Sequence, residues 1–172
     1  RRLARVRRDL AECLVDAPPQ VGDRAGLEVR FERALEQLHM LYQPIIDYGE
    51  RRVLGYEALM RSREPSMPHP GALLDAAERL DRIVDLGRTV RRAAVGPIDR
   101  APPDCLLFVN LHARELLDDQ LAVPECPLAP LASRVVLEIT ERARLEQVPN
   151  ALGRIRKLRE IGYRIAIDDI GA

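Results

Sequence analysis

Five short apolar runs constrain this chain more than any other feature. Each ends in, or runs into, a polar residue able to bind a divalent metal or a phosphodiester. They are Leu41-Tyr42-Gln43-Pro44-Ile45-Ile46, Leu54-Gly55-Tyr56-Glu57, Leu106-Leu107-Phe108-Val109-Asn110, Val135-Val136-Leu137-Glu138 and Ile165-Ala166-Ile167-Asp168-Asp169. Segments of helical periodicity lie between most of them. Such alternation builds a parallel sheet with helical crossovers. In sheets of that kind ligands gather at the carboxyl ends of the strands, where these polar residues would fall. Carboxylates aimed at one point repel each other, and a bound cation relieves the repulsion. An all-oxygen donor set suits Mg²⁺, Mn²⁺ or Ca²⁺ better than zinc or copper.

Composition removes several function classes. The 172 residues suit one domain, or one domain with an extension. Acidic and basic side chains cancel at 27 each, so no net field draws a nucleic acid or a membrane surface. Aromatics make up only 3% and Trp is absent, which argues against stacking platforms for a nucleic acid polymer. Cys13, Cys105 and Cys126 share no CxxC spacing and read as reduced thiols of a cytoplasmic protein. His39, His69 and His112 lack HxxxH spacing. No apolar stretch reaches the roughly 18 residues of a membrane span, and no signal peptide is visible.

Along the chain, Arg1 to Val15 reads as an arginine-rich helix and Ala17 to Gly26 as a Pro- and Gly-containing linker. Leu27, Phe31, Ala34, Leu35 and Leu38 share one helical face. The turn Tyr48-Gly49-Glu50 is too short for a crossover, so the strands around it, Leu41 to Asp47 and Arg52 to Met60, must pair antiparallel. Leu73 to Ala94 reads as helix, with Gly87 a possible break. Strands are expected from Cys105 to Leu111, from Arg134 to Ile139 and from Tyr163 to Ile167. Helices are expected over Ala113 to Leu121 and from Leu145 to Ile161, the latter closed by Gly162.

Read together, Tyr42-Gln43-Pro44-Ile45, Glu57-Ala58-Leu59-Met60-Arg61, Asn110-Leu111, Glu138-Ile139-Thr140-Glu141 and Asp168-Asp169-Ile170-Gly171 resemble the EAL domain, a family of cyclic di-GMP phosphodiesterases. A lone Glu-Ala-Leu carries no weight; five motifs in order, each at a strand end, are specific. The resemblance runs from about Leu27 to Ala172. It implies an α/β fold, the N-terminal half of a modified (β/α)₈ TIM-like barrel with an antiparallel first strand. On this reading residues 1–26 are a helical linker from an upstream sensory or receiver domain, and residues 27–172 are the EAL domain, stopping before its last strands. It implies hydrolysis of cyclic di-GMP to linear pGpG with two Mg²⁺ or Mn²⁺ ions, and it allows a homodimer.

Carried over by position, the resemblance makes Glu57, Asn110, Glu138 and Asp168 ligands of one metal. Asp168 then bridges to a second ion, and Asp169 binds that ion. Glu141 holds the loop after the acidic pair, while Gln43 and Arg61 contact substrate, Arg61 on a phosphate. Ile170 stands where the family usually has Phe, and His112 where a small Ser is common. The family's later lysine and later metal-binding glutamate have no counterpart up to Ala172, and the fragment alone is expected to be inactive. Taken singly, these residues have ordinary readings. Glu57 is then an exposed strand-end acid, Asn110 a helix cap, Glu138 a partner for an arginine such as Arg61, and Gln43 a satisfied strand amide. The adjacent acids Asp168 and Asp169 resist such a reading best, because two acids ending a buried strand are costly without a cation. Two other functions compete: a degenerate domain that binds cyclic di-GMP without cleaving it, and a different barrel enzyme acting on a sugar phosphate.

Overall fold

The computed structural model describes residues 21–96, 98–140 and 145–168. The expected leader helix from Arg1 to Val15, Glu141 and Asp169 lie outside them. Helix α1 (Val21–Glu36) opens the described chain, six residues before the expected apolar face. Its Leu27, Phe31 and Ala34 are buried at spacings of one and two turns, so this stripe overrides the Gly content that suggested a linker. Leu38 leaves the stripe and begins strand β1 (Leu38–Asp47).

β1 turns back into β2 (Arg52–Ser62), and the two pair antiparallel, Gln43 against Glu57 and His39 against Arg61. The chain then crosses through α2 (Pro70–Leu80) and α3 (Ile83–Ala94) to β3 (Leu106–Leu111). A 3₁₀ turn at Ala113–Leu117 and another at Ala129–Arg134 lead to β4 (Val135–Thr140). Helix α4 (Ala151–Ile161) returns it to β5 (Arg164–Asp168). The strands lie in sequence order, and β2, β3, β4 and β5 run parallel. This is the expected mixed α/β sheet with its antiparallel first strand.

Three local expectations fail. The break between α2 and α3 falls at Asp81, which takes the left-handed conformation (φ 61°), and not at Gly87. Its N–H and that of Arg82 close onto the carbonyls of Glu78 and Ala77, the usual satisfaction of a helix end. Gly87 sits inside α3 for another reason: a Cβ there would lie 1.8 Å from Oε2 of Glu115. After β3 the helix is a single 3₁₀ segment ending at Leu117 rather than running to Leu121. The stripe from Leu145 to Ile161 is also interrupted. A 3₁₀ turn covers Leu145–Gln147, and α4 starts only after Asn150, held at φ 55°. α4 does end at Gly162, whose φ of 116° only glycine adopts without strain.

The sheet has two unlike faces. On the outer one, Leu107, Val109, Leu111, Val135, Leu137 and Ile139 are all at most 1% exposed, packed with Ala94, Leu116, Leu128 and Leu158. Burying each of the larger side chains is worth about 1.5–3 kcal/mol. A second cluster joins α1, α2 and α3 through Phe31, Leu73, Ala77 and Leu86. The inner face is far more open: Leu41 is 50% exposed, and Phe108 and Asn110 are half-buried.

Candidate active site

Because side chains alternate across a strand, the registers decide which residues share the inner face. Gln43 pairs with Glu57, Glu57 with Phe108, Asn110 with Glu138, and Glu138 with Ala166. Asn110 lies two residues beyond Phe108, and Asp168 two beyond Ala166, on the same side by the period of two. Arg61 is four residues beyond Glu57 and falls on that side as well. Gln43, Glu57, Arg61, Asn110, Glu138 and Asp168 therefore occupy one face. Asn110, Glu138 and Asp168 lie toward the carboxyl ends of the parallel strands. Asp168 is placed here by its backbone alone.

Two of these side chains touch. Nδ2 of Asn110 donates to Oε1 of Glu57 at 3.0 Å, reaching diagonally from β3 to β2. Asn110 caps no helix, because His112 takes that role. Nδ1 of His112 accepts from the Arg114 N–H, and the Glu115 carboxylate accepts from the His112 N–H, so the pair forms a capping box. An accepting Nδ1 puts the imidazole proton on Nε2, which lies 3.4 Å from Oε1 of Glu78. Burial lowers the pKa of His112 and favours this neutral form, with the Glu78 charge pulling the other way. His112 thus caps this turn with its ring. Arg61 gives one Nη1 hydrogen bond to the carbonyl of Met60 at 2.7 Å. Gln43 is exposed. A groove of about 890 Å³ lies elsewhere, on the outer side between α1 and α3, lined by Glu32, Arg82 and Arg88 among others.

The donor set fits a small hard cation. Ligands at right angles on an ion with bonds of 2.0–2.1 Å stand about 2.9 Å apart. The 3.0 Å contact between Glu57 and Asn110 is an ordinary hydrogen bond, and it brings the two side chains within reach of one ion. A half-turn of the Asn110 amide would present Oδ1 in place of Nδ2, a rotation that needs no backbone change. Among the described residues, no three His, Cys, Asp or Glu side chains form a metal-holding group by themselves.

Sequence reasoning missed the residues behind this face. Arg91, Glu115 and Asp118 are buried and charged, and none of them was singled out from the sequence. A signal existed: Arg91 falls in line with the buried Ile83, Leu86, Gly87 and Ala94 of α3, where a solvated arginine has no place.

The EAL domain profile matches residues 28–172. An uncharacterized protein of Sinorhizobium fredii, y4lL, is 29% identical over 165 residues, covering 91% of this chain and 20% of that protein. Rv1357c of Mycobacterium tuberculosis, also uncharacterized, is 32% identical over 165 residues, 88% of this chain and 54% of that protein. The chain therefore spans from a fifth to about half of these relatives. Among solved structures, PaMucR phosphodiesterase in its c-di-GMP complex superposes with a TM-score of 0.73 at 29% identity, covering 86% of this chain and 64% of that one. BlrP1 of Klebsiella pneumoniae, in a manganese and cy-diGMP complex, gives 0.64 at 25% identity over 79% of this chain and 36% of its own. From the hairpin that carries Gln43 and Glu57 to the strand that ends in Asp168, the chain belongs to the EAL domain family.

Proposed function

We propose that this chain is part of a metal-dependent phosphodiesterase that opens cyclic di-GMP to linear pGpG. The observation that carries the reading is the contact between Glu57 and Asn110 on the open face of the sheet, with Glu138 next in register. A hydrogen bond to a charged carboxylate contributes at most about 1.5–3 kcal/mol, so stability is a modest reason for placing this pair on an open face. Two related proteins of this fold, PaMucR and BlrP1, were solved with cyclic di-GMP, the second with manganese.

Glu57, Asn110 and Glu138, with Asp168 at the end of β5, supply hard oxygen donors for one Mg²⁺ or Mn²⁺. Asp168 and Asp169 would hold a second ion, and Glu141 would steady the loop that follows. When bound, a metal pair lowers the pKa of a shared water and neutralises charge on the phosphoryl oxygens. Arg61 offers the guanidinium fork that matches a phosphate, and Gln43 sits opposite Glu57 where an amide can orient the nucleotide. Addition of hydroxide to one phosphorus breaks its bond to the 3′ oxygen, which leaves with a proton, and the linear dinucleotide carries the new 5′ phosphate. We place the protein in the cytoplasm. There a domain upstream of residue 26 would supply the input signal, and a homodimer is one route by which that input reaches the site.

The test uses the full-length protein. Incubation with cyclic di-GMP and Mn²⁺, followed by chromatography, should yield pGpG. Tight binding of cyclic di-GMP without product would assign the protein as a sensor instead. Failure to bind it at all would end the reading.

A further inference from the structure

Behind β3, on the side of the sheet away from the candidate site, four charges are packed together. Arg91 is 2% exposed, Glu115 6% and Asp118 5%. Arg91 donates from Nη1 to Glu115 and from Nη2 to Asp118. Arg88 adds a bidentate grip on Asp118, with Nη2 at 2.7 Å from Oδ1 and Nε at 3.1 Å from Oδ2. The Gln120 N–H donates to the same Oδ1 at 3.0 Å. The other oxygen of Glu115 accepts the His112 N–H at 3.0 Å. Among the described residues, no buried side-chain polar atom in this region lacks a partner.

Buried ion networks are weak sources of stability, because desolvation offsets most of the attraction. A well-packed apolar set would serve the core as well. What this network does that an apolar set could not is geometric. α3 keeps Gly87 without a side chain so that the Glu115 carboxylate can reach Arg91. From there the carboxylate fixes one backbone N–H, that of His112, two residues past Asn110. Leu111 between them is 1% exposed and locked in the core. The exit of β3 is thus held at both its inner and outer sides.

We infer that Glu115, fixed by Arg91, is a positioning residue for catalysis: by holding the His112 N–H it sets the end of β3 and aims Asn110 at Glu57. The inference rests on the proposed metal site. Groups behind metal ligands commonly change metal affinity about 10- to 100-fold when removed. Glu115 acts through the backbone, and an effect near the lower end, about 10-fold, is expected.

The test is Mn²⁺ binding to the full-length protein without substrate, read by electron paramagnetic resonance, alongside kcat and KM. Wild-type protein should bind Mn²⁺, and Glu57→Gln should not; absence of binding by the wild type would overturn the proposed site and this role with it. Glu115→Ala should bind Mn²⁺ about 10-fold more weakly with its circular dichroism intact, and lose kcat at limiting metal with KM for cyclic di-GMP little changed. Glu115→Gln keeps an acceptor for the His112 N–H and should recover most of the affinity. If Glu115→Ala does not fold, His112→Pro decides. It deletes the N–H at a backbone φ of −71° that proline accepts, and it removes the capping ring with it. Wild-type Mn²⁺ affinity in a folded Glu115→Ala or His112→Pro protein would overturn the role.

Discussion

The two faces of the sheet follow different rules. The outer face is apolar at every position from Leu107 to Ile139 that points toward the helices, and nearly all of it is sealed from water. The inner face interleaves Leu41, Leu59 and Phe108 with Gln43, Glu57, Asn110 and Glu138, and much of it is open. Stability explains the first arrangement completely. It does not explain the second, because a line of acids and amides on neighbouring strands adds repulsion and desolvation with little return. The contrast teaches where to look for function: on the face whose residues the core would not have chosen.

The largest expected effect falls on the inner face. In the full-length protein, Glu57→Ala should reduce turnover of cyclic di-GMP by at least about 10³-fold, since it removes an anionic ligand from the proposed metal. Its stability should change only by the loss of the Asn110 hydrogen bond, because Glu57 is not part of the apolar core. A loss of stability in place of activity would erase the distinction between the faces. The outer face should behave oppositely. Leu137→Ala, at 0% exposure, should cost about 2–5 kcal/mol in urea unfolding and leave turnover per folded molecule near wild type.

The sequence made the outer face and the strand order readable because apolar runs of strand length are hard to mistake. It made the polar ends of the runs readable as a set, though their mutual contact needed the register. The rest depended on partners distant in sequence. Gly87 looked like a helix breaker, yet its small size answers Glu115, which reaches it from a different element. The real break at Asp81 carries no glycine, because a short polar side chain can also adopt the left-handed region. His112 read as a minor replacement for a small residue, and only the backbone geometry reveals it as a cap. Arg91 and Asp118 meet only in the folded chain, because Asp118 lies past β3, beyond the reach of any local sequence pattern in α3.

Smaller effects sharpen the comparison. Arg61→Lys keeps the charge but loses the planar fork, and should raise KM for cyclic di-GMP about 10-fold with stability unchanged. An unaltered KM would take Arg61 away from the substrate. The smallest effect concerns pH and lies behind the site. Burial pushes the Glu115 carboxyl up to about 7 from its ordinary 4.5, against the pull of Arg91. Asp118 goes the other way: burial works to raise it, but hydrogen bonds from Arg88 and the Gln120 N–H, with the Arg91 charge, bring it below its usual value. For Glu115 the folded protein keeps a proton that the unfolded chain releases. Its contribution to stability is therefore full below 4.5 and lost as pH rises through about 7. Glu115→Gln cannot titrate. The difference in unfolding free energy between wild type and this variant should shift against the wild type between about pH 5 and about pH 8. A constant difference would mean that Glu115 stays ionised throughout.

The most direct measurement of the central claim is a crystal structure of the full-length protein with Mn²⁺, located by its anomalous scattering. The account predicts a peak on the inner face within bonding distance of the Glu57 carboxylate, with the Asn110 amide turned so that Oδ1, not Nδ2, faces the ion and Glu138 completing the same side. A Mn²⁺ peak away from these residues, or an Asn110 still donating to Glu57 beside a fully occupied ion, would contradict it.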